Sequence, residues 1–254
     1  MRPVIYDGSF DGLLTAIFDI YERKLTDVDI QPSRLESSSL FGSNFEVQTD
    51  KQKSARVWKG LAQKISHRAQ IQLYKTFLSE QKNIENVLCR YIQYAFANRH
   101  TVENDFSHAD VAMVQQMSRK VHREKHRMEA FVRFQKLKDG LYYSLVQPDY
   151  NVLPLISNHF EDRYANQRWL IYDSYRKNGL YYNLNSVEEV QLRFTEDASN
   201  GSPIASMYDE SEELYQRLWQ QYFSSVNIAA RKNTKLHLQH MPRRYWRNLV
   251  EKKG

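Results

Sequence analysis

The clearest pattern of apolar positions lies near the start of the chain. Apolar side chains recur at positions 10, 13, 14, 17, 18 and 21, a spacing that places them on one stripe of an α-helix. The segment Pro3 to Tyr6 before them predicts a short strand, and Ser9 is a favourable N-cap. We therefore expect the chain to begin with a strand, a turn at Asp7-Gly8 and an amphipathic helix.

Helical spacing of apolar residues returns after a Ser-rich segment. Residues 31–49 predict a loop, with a short strand at 45–47. Asp50 and Asn83 stand where N-caps of the next helices are expected. A further helix from about His108 places Val111, Val114, Met117 and Val121 on one face. The first half of the chain is therefore predicted to be mostly helical.

The pattern changes to an alternation of apolar and polar residues beyond Phe131. Segments near 131–136, 141–146, 169–172, 180–184 and 190–194 predict strands, and 152–164 predicts a short helix between the second and third. Asp139-Gly140 and Asn178-Gly179 favour hairpin turns, so we expect a mainly antiparallel sheet. Helical spacing over 212–226 then predicts a C-terminal helix.

Together these elements predict an α+β fold. A mainly antiparallel sheet, with two hairpins flanking a short helix, is expected to pack with an N-terminal helical region and a C-terminal helix. The 254 residues suffice for one compact domain. The change of pattern also allows two lobes, with 1–118 mostly helical and 119–254 holding the sheet, the C-terminal helix and a basic tail.

The sequence contains neither a long apolar run nor a signal-peptide pattern. No stretch approaches eighteen consecutive apolar residues, the minimum for a membrane-spanning helix. The N-terminus lacks the basic and apolar regions of a secretory signal. We therefore expect a cytoplasmic protein with no membrane partner.

Charge is distributed unevenly along the chain, whose formal net charge is +6. Residues 119–138 contain eight Lys or Arg against two Glu, and residues 231–253 contain eight against one. Between them, 185–215 contains eight acids against one Arg. Two basic segments, the second of which has Tyr245 and Trp246 among its cations, are typical of proteins that bind nucleic acid. Ordinary solvated faces, and a helix C-terminus that favours cations, are the alternative explanation.

Several kinds of cofactor site are excluded by the residues present. Cys89 is the only cysteine, so the chain can form no internal disulfide and no all-cysteine metal or iron–sulfur site. Its apolar neighbours indicate a small buried side chain. Phosphate-binding glycine motifs and the HExxH metalloprotease motif are absent from the sequence. We expect no cofactor.

Two histidines have the spacing of metal ligands on a helix. His122 and His126 are four positions apart and share one helix face. The surrounding Lys and Arg residues create a positive field that opposes a divalent cation, and no third ligand is evident. We therefore predict no metal; a phosphate contact or a plain surface pair explains both histidines.

Glu124 and His126 are the leading candidates for catalysis. If the helix end brings them together with Arg127 and Arg133, Glu124 would orient His126 as an acid–base group while the guanidiniums hold a phosphate. A structural cluster of ion pairs explains the same residues. His159 and Asp173 are secondary candidates. A structural role is the alternative for each: His159 beside the short helix and Asp173 at the second hairpin.

The candidates for nucleic-acid binding come from both basic segments and from the short helix. In the tail, charge combines with flat rings that can stack on an unpaired base, whereas docking of Tyr245 and Trp246 onto the core is the alternative. The candidates are Arg123, Lys125, Arg127, Arg133, Arg163, Arg231, Arg243, Arg244, Tyr245 and Trp246.

Five segments carry a resemblance to a bacterial protein family. They are YDGSFDGLLTAIFDIYE at 6–22, E-x-H-R-M-x-A-F-V-R-F at 124–134, PD-x-N-VLPLI-x-x-HF-x-x-R at 148–163, Q-x-W-x-IYD at 167–173 and R-x-N-x-x-L-x-x-Q-x-MP-x-RYW-x-x-L at 231–249. The chain resembles the family described as "probable DNA metabolism protein", which is assigned to DNA repair and encoded beside a radical-SAM protein. A related domain occurs fused to uracil-DNA-glycosylase-like domains.

The resemblance implies an accessory role in DNA repair or modification, with DNA and a radical-SAM enzyme as partners. The family brings no catalytic residues to transfer to this chain. An enzyme that acts directly on damaged or modified DNA through Glu124 and His126 is one alternative. A protein-interaction module, in which the acidic segment 185–215 binds the radical-SAM companion without contact to DNA, is another.

Overall fold

The computed structural model describes residues 2–33, 44–191, 209, 212, 215–218, 238, 241–249 and 252. The chain divides into two compact units, Met1–His122 and Arg123–Gly254. The division falls inside the long helix Ala109–Phe131, four residues beyond the boundary between the two predicted lobes. The α+β class is confirmed.

A three-stranded parallel sheet forms the centre of the first unit. Strand β1 (Arg2–Tyr6) lies between β2 (Val28–Pro32) and β3 (Phe45–Glu46). The strands at 3–6 and 45–47 are confirmed in position, but the sequence reasoning missed β2. Pro32 ends β2 and was assigned to a loop, although a proline is compatible with the edge of a sheet.

The helices of the first unit follow the predicted apolar stripes. Helix α1 follows β1, and α2, α3 and α4 lie between β3 and the long helix, α5. Their bounds are α1 Phe10–Glu22, α2 Lys51–Ala62, α3 His67–Phe77, α4 Ile84–Ala97 and α5 Ala109–Phe131. In the α1 stripe Leu13, Leu14 and Ile17 are buried and Phe10 and Phe18 are half-buried, whereas Tyr21 at the end of the helix is exposed. The mostly helical prediction therefore holds, with a parallel sheet added.

Side chains cap three of these helices. Ser9 accepts a hydrogen bond from the Gly12 backbone at 2.9 Å, as predicted. Asp50 accepts two backbone hydrogen bonds at the start of α2, also as predicted. Ser66 caps α3. Asn83 is the N-cap residue of α4, as predicted, but its side chain forms no capping hydrogen bond and its backbone adopts a φ of 65°.

Gly12 is needed because the Asp7 side chain folds back over the start of α1. The Asp7 carboxylate accepts hydrogen bonds from the backbone and hydroxyl of Ser9 and from the hydroxyl of Thr49. A Cβ at position 12 would lie 2.2 Å from Asp7 Oδ1. The glycine in this turn therefore provides space for a carboxylate.

Helix α5 extends further than the sequence pattern predicts. It continues to Phe131, where a strand was expected to begin, and its last turn contains no basic residue. The helix-dipole explanation for the basic segment is therefore wrong, since the cations lie further upstream. Strand β4 is reduced to Gln135–Lys136.

A five-stranded sheet organises the second unit. The remaining strands are β5 (Tyr142–Val146), β6 (Trp169–Asp173), β7 (Asn178–Tyr182) and β8 (Val187–Val190), arranged in the order β4-β5-β6-β7-β8. Three of its four strand pairs are antiparallel. Strands β5 and β6 are parallel because α6 (Leu153–Arg163) crosses over between them.

The first predicted hairpin turn is confirmed, and the second is wrong in position. Gly140 adopts a φ of 80° in the turn between β4 and β5. In the second hairpin the turn is 174–177, and Asn178 and Gly179 belong to β7. A Cβ at Gly179 would lie 2.8 Å from the Ile171 carbonyl, so this glycine permits close strand approach instead of a turn.

Each face of this sheet buries aromatic side chains. On one face Trp169 stacks against Tyr182 at 5.4 Å between ring centres and contacts Phe160 of α6. On the other face Tyr143, Leu170 and Tyr172 form a cluster. Alternation along the strands therefore produces two apolar faces, which explains why all five residues of β6 are buried.

The C-terminal predictions lie partly outside the described residues. Strand β8 ends at Val190, whereas the predicted positions 192 and 194 are not described. In the predicted C-terminal helix, Glu212 and residues 215–218 are helical and the other positions are not described. A 3₁₀ helix follows at Arg243–Asn248. In the described part of the chain, no helix has the length and apolarity needed to span a membrane.

Candidate nucleic-acid interface

Glu124 lies at the centre of a cluster of charged groups in the second unit. Its side chain is only 1% exposed, although it is a carboxylate on a strongly basic helix. Four groups surround its two oxygens: the backbone N–H of Asp149, the Tyr245 hydroxyl, and the guanidiniums of Arg244 and Arg127. Partners of this kind are what a buried charge requires.

The 3₁₀ helix Arg243–Asn248 attaches to α5 through Glu124. Tyr245 donates to Glu124 Oε2 at 2.5 Å, and Arg244 Nη2 lies 3.1 Å from the same oxygen. The Arg244 guanidinium also covers the Tyr245 ring, 4.4 Å from its centre. The Tyr245 ring packs against Phe131 at the end of α5. A carboxylate on one basic segment therefore holds the other basic segment in place.

The loop between β5 and α6 provides the third side of the cluster. Asp149 donates its backbone N–H to Glu124 at 2.9 Å, and its carboxylate lies 2.8 Å from Arg244. Arg176 donates to the carbonyls of Pro148 and Asp149, so it holds this loop from the other direction. We call Glu124, Arg127, Asp149, Arg244 and Tyr245 the Glu124 cluster.

Burial changes the proton affinity of two groups in the Glu124 cluster. Burial, strengthened by the hydrogen bond to Glu124, raises the pKa of the Tyr245 hydroxyl well above its ordinary value. Burial also raises the pKa of Asp149. The positive charge of Arg244 lowers this pKa, and the negative charge of Glu124 raises it further. Tyr245 therefore remains a hydrogen-bond donor throughout the neutral range.

The two basic segments also contain three exposed arginines that form no ion pair with another described residue: Arg123, Arg243 and Arg247. The Trp246 ring lies between two cations, with the Arg243 guanidinium 5.9 Å and the Lys252 ammonium 5.0 Å from its centre. Trp246 is partly exposed, and its indole N–H donates to the Met241 carbonyl. Cations beside a partly exposed ring can contact phosphates and a base.

Tyr245 differs from the prediction made for it. It is 4% exposed, so its ring has no surface available for stacking on a base. The alternative of docking onto the core is therefore the one that the structure supports for Tyr245. Lys125 and Arg127 also point into ion pairs, with Glu129 and Glu124 respectively.

The structure separates Glu124 from His126. His126 is 83% exposed and lies 3.7 Å from Glu129, whereas Glu124 faces the Glu124 cluster. Residues two positions apart project from different sides of a helix, which explains the separation. The predicted geometry, in which Glu124 orients His126, is therefore wrong.

His159 approaches the same carboxylate as His126. Its Nδ1 lies 3.9 Å from Glu129 Oε1, so α6 brings His159 to the Glu129 side of α5. Among the described residues, no group of three or more His, Cys, Asp or Glu side chains could hold a metal ion. His122 contacts Lys75 in the first unit, at 3.4 Å.

Asp173 has a clear structural role at the second hairpin. It is fully buried, accepts backbone hydrogen bonds from Tyr175 and Arg176, and pairs with the Arg176 guanidinium at 2.9 Å. These contacts fasten the turn at 174–177 and position Arg176 against the Asp149 loop. Asp173 therefore supports the Glu124 cluster indirectly.

Arg133 and Arg163 lie apart from the Glu124 cluster and line one open cleft of about 880 Å³. Arg133 donates to the Ala130 and Val132 carbonyls at the end of α5. The Arg163 guanidinium lies 5.8 Å from the centre of the Tyr164 ring. Arg231, the remaining candidate, lies outside the described residues.

Sequence reasoning missed Asp149, Arg176 and Glu129. Asp149 belongs to the PD-x-N segment, and that segment is the only sequence signal for it. Arg176 was linked only to the hairpin, and Glu129 was counted only as a charge. Their roles depend on contacts with distant parts of the chain, for which no local pattern exists.

Residues 82–251 match a family described as a domain of unknown function, DUF4130. The chain belongs to the DUF4130 family. All five residues of the Glu124 cluster lie within the DUF4130 segment, as do both arginines of the cleft. A comparison with curated proteins gives no match.

Proposed function

We propose that this protein binds DNA as an accessory factor in DNA repair or modification, together with a radical-SAM enzyme. One observation carries the proposal: Glu124 joins the two basic segments, whose contacting residues Glu124 and Tyr245 are 121 positions apart. The junction leaves Arg123, Arg243 and Arg247 exposed, and Arg243 lies beside the Trp246 ring. Exposed cations beside an aromatic ring suit a phosphate backbone with unpaired bases.

The environment of Glu124 favours a binding role over direct catalysis. Its side chain is 1% exposed, and its oxygens contact Asp149, Tyr245 and two arginines of the protein itself. A general acid or base must reach a proton of the substrate. Glu124 therefore serves this proposal as the residue that holds Arg244 and Tyr245.

The radical-SAM companion is supported by the resemblance of the sequence motifs. A radical-SAM cluster needs several cysteine ligands, and this chain contains one cysteine, Cys89. In the proposal the companion carries the iron–sulfur cluster, and this protein provides the contact with DNA. The acidic residues Glu188 and Glu189 are exposed on β8 and belong to the segment predicted to bind the companion.

Fluorescence anisotropy with single- and double-stranded DNA over a series of salt concentrations tests DNA binding. A substitution that removes one contact to a phosphate should reduce the slope of log affinity against log salt by about 1. We expect this reduction for Arg123→Ala, Arg243→Ala and Arg247→Ala. Lys59→Ala removes an exposed cation of α2, outside both basic segments, and serves as the control, with an unchanged slope.

Absence of any salt-sensitive binding at low ionic strength would overturn the DNA proposal. Equal effects of Lys59→Ala and Arg243→Ala would place the contact elsewhere on the protein. Co-purification with a radical-SAM protein, the companion that the motif resemblance implies, tests this part of the proposal separately. Charge reversal by Glu188→Lys and Glu189→Lys should reduce the amount of radical-SAM protein that co-purifies. An unchanged amount would exclude these two residues as the contact.

A further inference from the structure

The open cleft of about 880 Å³ in the second unit combines aromatic rings with cations, amides and the carboxylate of Glu212. Residues from the end of α5, from β5 and from α6 surround it, together with residues 212, 215, 216 and 218. The side chains that matter for a ligand are Phe134, Tyr142, Tyr164, Tyr215, Arg163 and Gln167. The cleft belongs entirely to the second unit, within residues 123–254.

Aromatic packing holds one wall of the cleft in place. Phe134 meets Tyr164 edge to face, with 5.2 Å between ring centres and an angle of 77°. Phe160, which is buried, contacts both of these rings from the core side. A wall fixed in this way can receive a flat ligand without a large loss of side-chain entropy.

Three sequence motifs supply side chains to the cleft. Arg133 and Phe134 end the motif at 124–134, Arg163 ends the motif at 148–163, and Gln167 begins the next one. Tyr215 also lines the cleft and is 61% exposed. The cleft is therefore a place where the ends of three separate motifs meet.

The chemistry of the lining suits a nucleobase. Rings can stack on its flat faces, and the Gln167 amide has both donors and an acceptor for its edge. Arg163, which is exposed, can bind a neighbouring phosphate. The volume lies in the range typical of small-molecule sites, roughly 300–1,000 Å³. A base paired within a duplex cannot enter a cleft, so the base must be unpaired.

We propose that this cleft receives one unpaired nucleobase of a bound DNA strand, with Arg163 contacting an adjacent phosphate. The inference rests on the proposed function, since the exposed cations beside the Glu124 cluster are what hold the strand. It adds a second point of contact, which recognises a base instead of the backbone. Stacking on rings tolerates any base, so little sequence preference is expected.

Two oligonucleotides separate base contacts from phosphate contacts. One is a short single-stranded DNA, and the other has the same sugar–phosphate backbone without bases. Because one stacked base contributes about 5- to 150-fold in affinity, the protein should bind the first strand more tightly by at least that lower factor. Tyr215→Ser and Gln167→Ala should reduce this ratio, while Arg243→Ala should weaken both strands equally.

Tyr175→Ser is the matched control for Tyr215→Ser. Tyr175 is 69% exposed, lies in the second hairpin and does not line the cleft, so its replacement should leave the ratio unchanged. Both tyrosines are largely exposed, so both variants should fold. Circular dichroism and urea unfolding verify folding before affinity is compared.

Photo-crosslinking locates the base directly. A strand containing one 5-iododeoxyuridine should crosslink to peptides that contain Tyr142, Tyr164 or Tyr215, as identified by mass spectrometry. Crosslinks confined to Trp246 or Tyr175, or a base-to-backbone ratio unchanged in Tyr215→Ser and Gln167→Ala, would overturn the inference while DNA binding stands. Failure of both strands to bind would instead overturn the proposed function.

Discussion

Tyr245 donates its hydroxyl proton to Glu124, a residue 121 positions earlier in the chain, and both side chains are buried. The contact connects the 3₁₀ helix near the C-terminus to the basic end of α5. A buried carboxylate on a basic helix requires partners, and the distant segment supplies two of them, Arg244 and Tyr245. The arrangement of the surrounding exposed cations therefore depends on this contact.

Replacement of Tyr245 by Phe should lower the free energy of unfolding by about 1–3 kcal/mol, because a buried charged group loses a donor. Urea unfolding at neutral pH measures the change. Tyr175→Phe, which alters a ring that is 69% exposed, should stay within about 0.5 kcal/mol. Equal effects of the two substitutions would contradict a special role for the Tyr245 hydroxyl.

The pH dependence of stability should change in the same variant. The pKa of Tyr245 is raised in the folded state above its ordinary value of 10.0. The stability that this proton contributes is therefore complete below that ordinary value and is lost as pH rises through the folded pKa. Urea unfolding from pH 9 upward should show a decline for the wild type that is smaller in Tyr245→Phe.

The substitutions Glu124→Gln and His126→Ala should differ in their effects on stability and on DNA binding. Loss of the Glu124 charge removes one partner from Arg244 and Arg127, whose side chains are 39% and 28% exposed, so we expect a loss of about 1–3 kcal/mol. We also expect weaker DNA binding, since Arg243 and Trp246 lose their attachment. His126 is 83% exposed, and His126→Ala should change neither quantity appreciably. Loss of DNA binding in His126→Ala alone would reverse this assignment.

Asp173→Ala should destabilise the second hairpin. The change removes the carboxylate from Arg176, whose side chain is 8% exposed, and we expect a loss of about 3–5 kcal/mol. Asp139→Ala in the first hairpin turn is the matched control. Asp139 is exposed and accepts one backbone hydrogen bond, from Leu141, so about 1 kcal/mol is expected there. Thermal or urea unfolding distinguishes the two.

Gly12→Ala should destabilise the protein although alanine favours a helix. The added Cβ meets Asp7 Oδ1 at 2.2 Å, and a forced contact of this kind costs about 1–3 kcal/mol. Alanine's higher helix propensity offsets up to about 1 kcal/mol of this. In an Asp7→Ala background the clash with that carboxylate is absent, so Gly12→Ala should become neutral or stabilising. A cost that persists in the double variant would assign the effect to Thr49 or the backbone.

Cys89 should be unreactive in the folded protein. Its side chain is buried, as the sequence predicts, and burial raises the pKa of the thiol to about 11. Few thiolates therefore exist at pH 8, and access to them is blocked. A chromogenic disulfide reagent should react with one thiol per chain only after urea is added. Rapid reaction of the native protein would show that helix α4 opens readily.

The local parts of the fold were predictable because their determinants lie within a few positions. The stripe of α1, the cap at Ser9 and the turn at Gly140 each depend on neighbours along the chain. The second hairpin turn was misplaced because Asn178-Gly179 fits a turn equally well by composition. The chain turns at 174–177 instead, where Asp173 accepts the turn's backbone hydrogen bonds.

By itself, the sequence determined the α+β class, the amphipathic helices, the succession of strands in the second unit and the two basic segments. Only the tertiary structure decided that β5 and β6 run parallel, that Glu124 faces Tyr245 instead of His126, and that Arg163 and Phe134 meet in one cleft. The physical reason is the range of the interactions. Periodicity and capping act over one helical turn, whereas a buried charge takes whichever partners the packed chain brings to it.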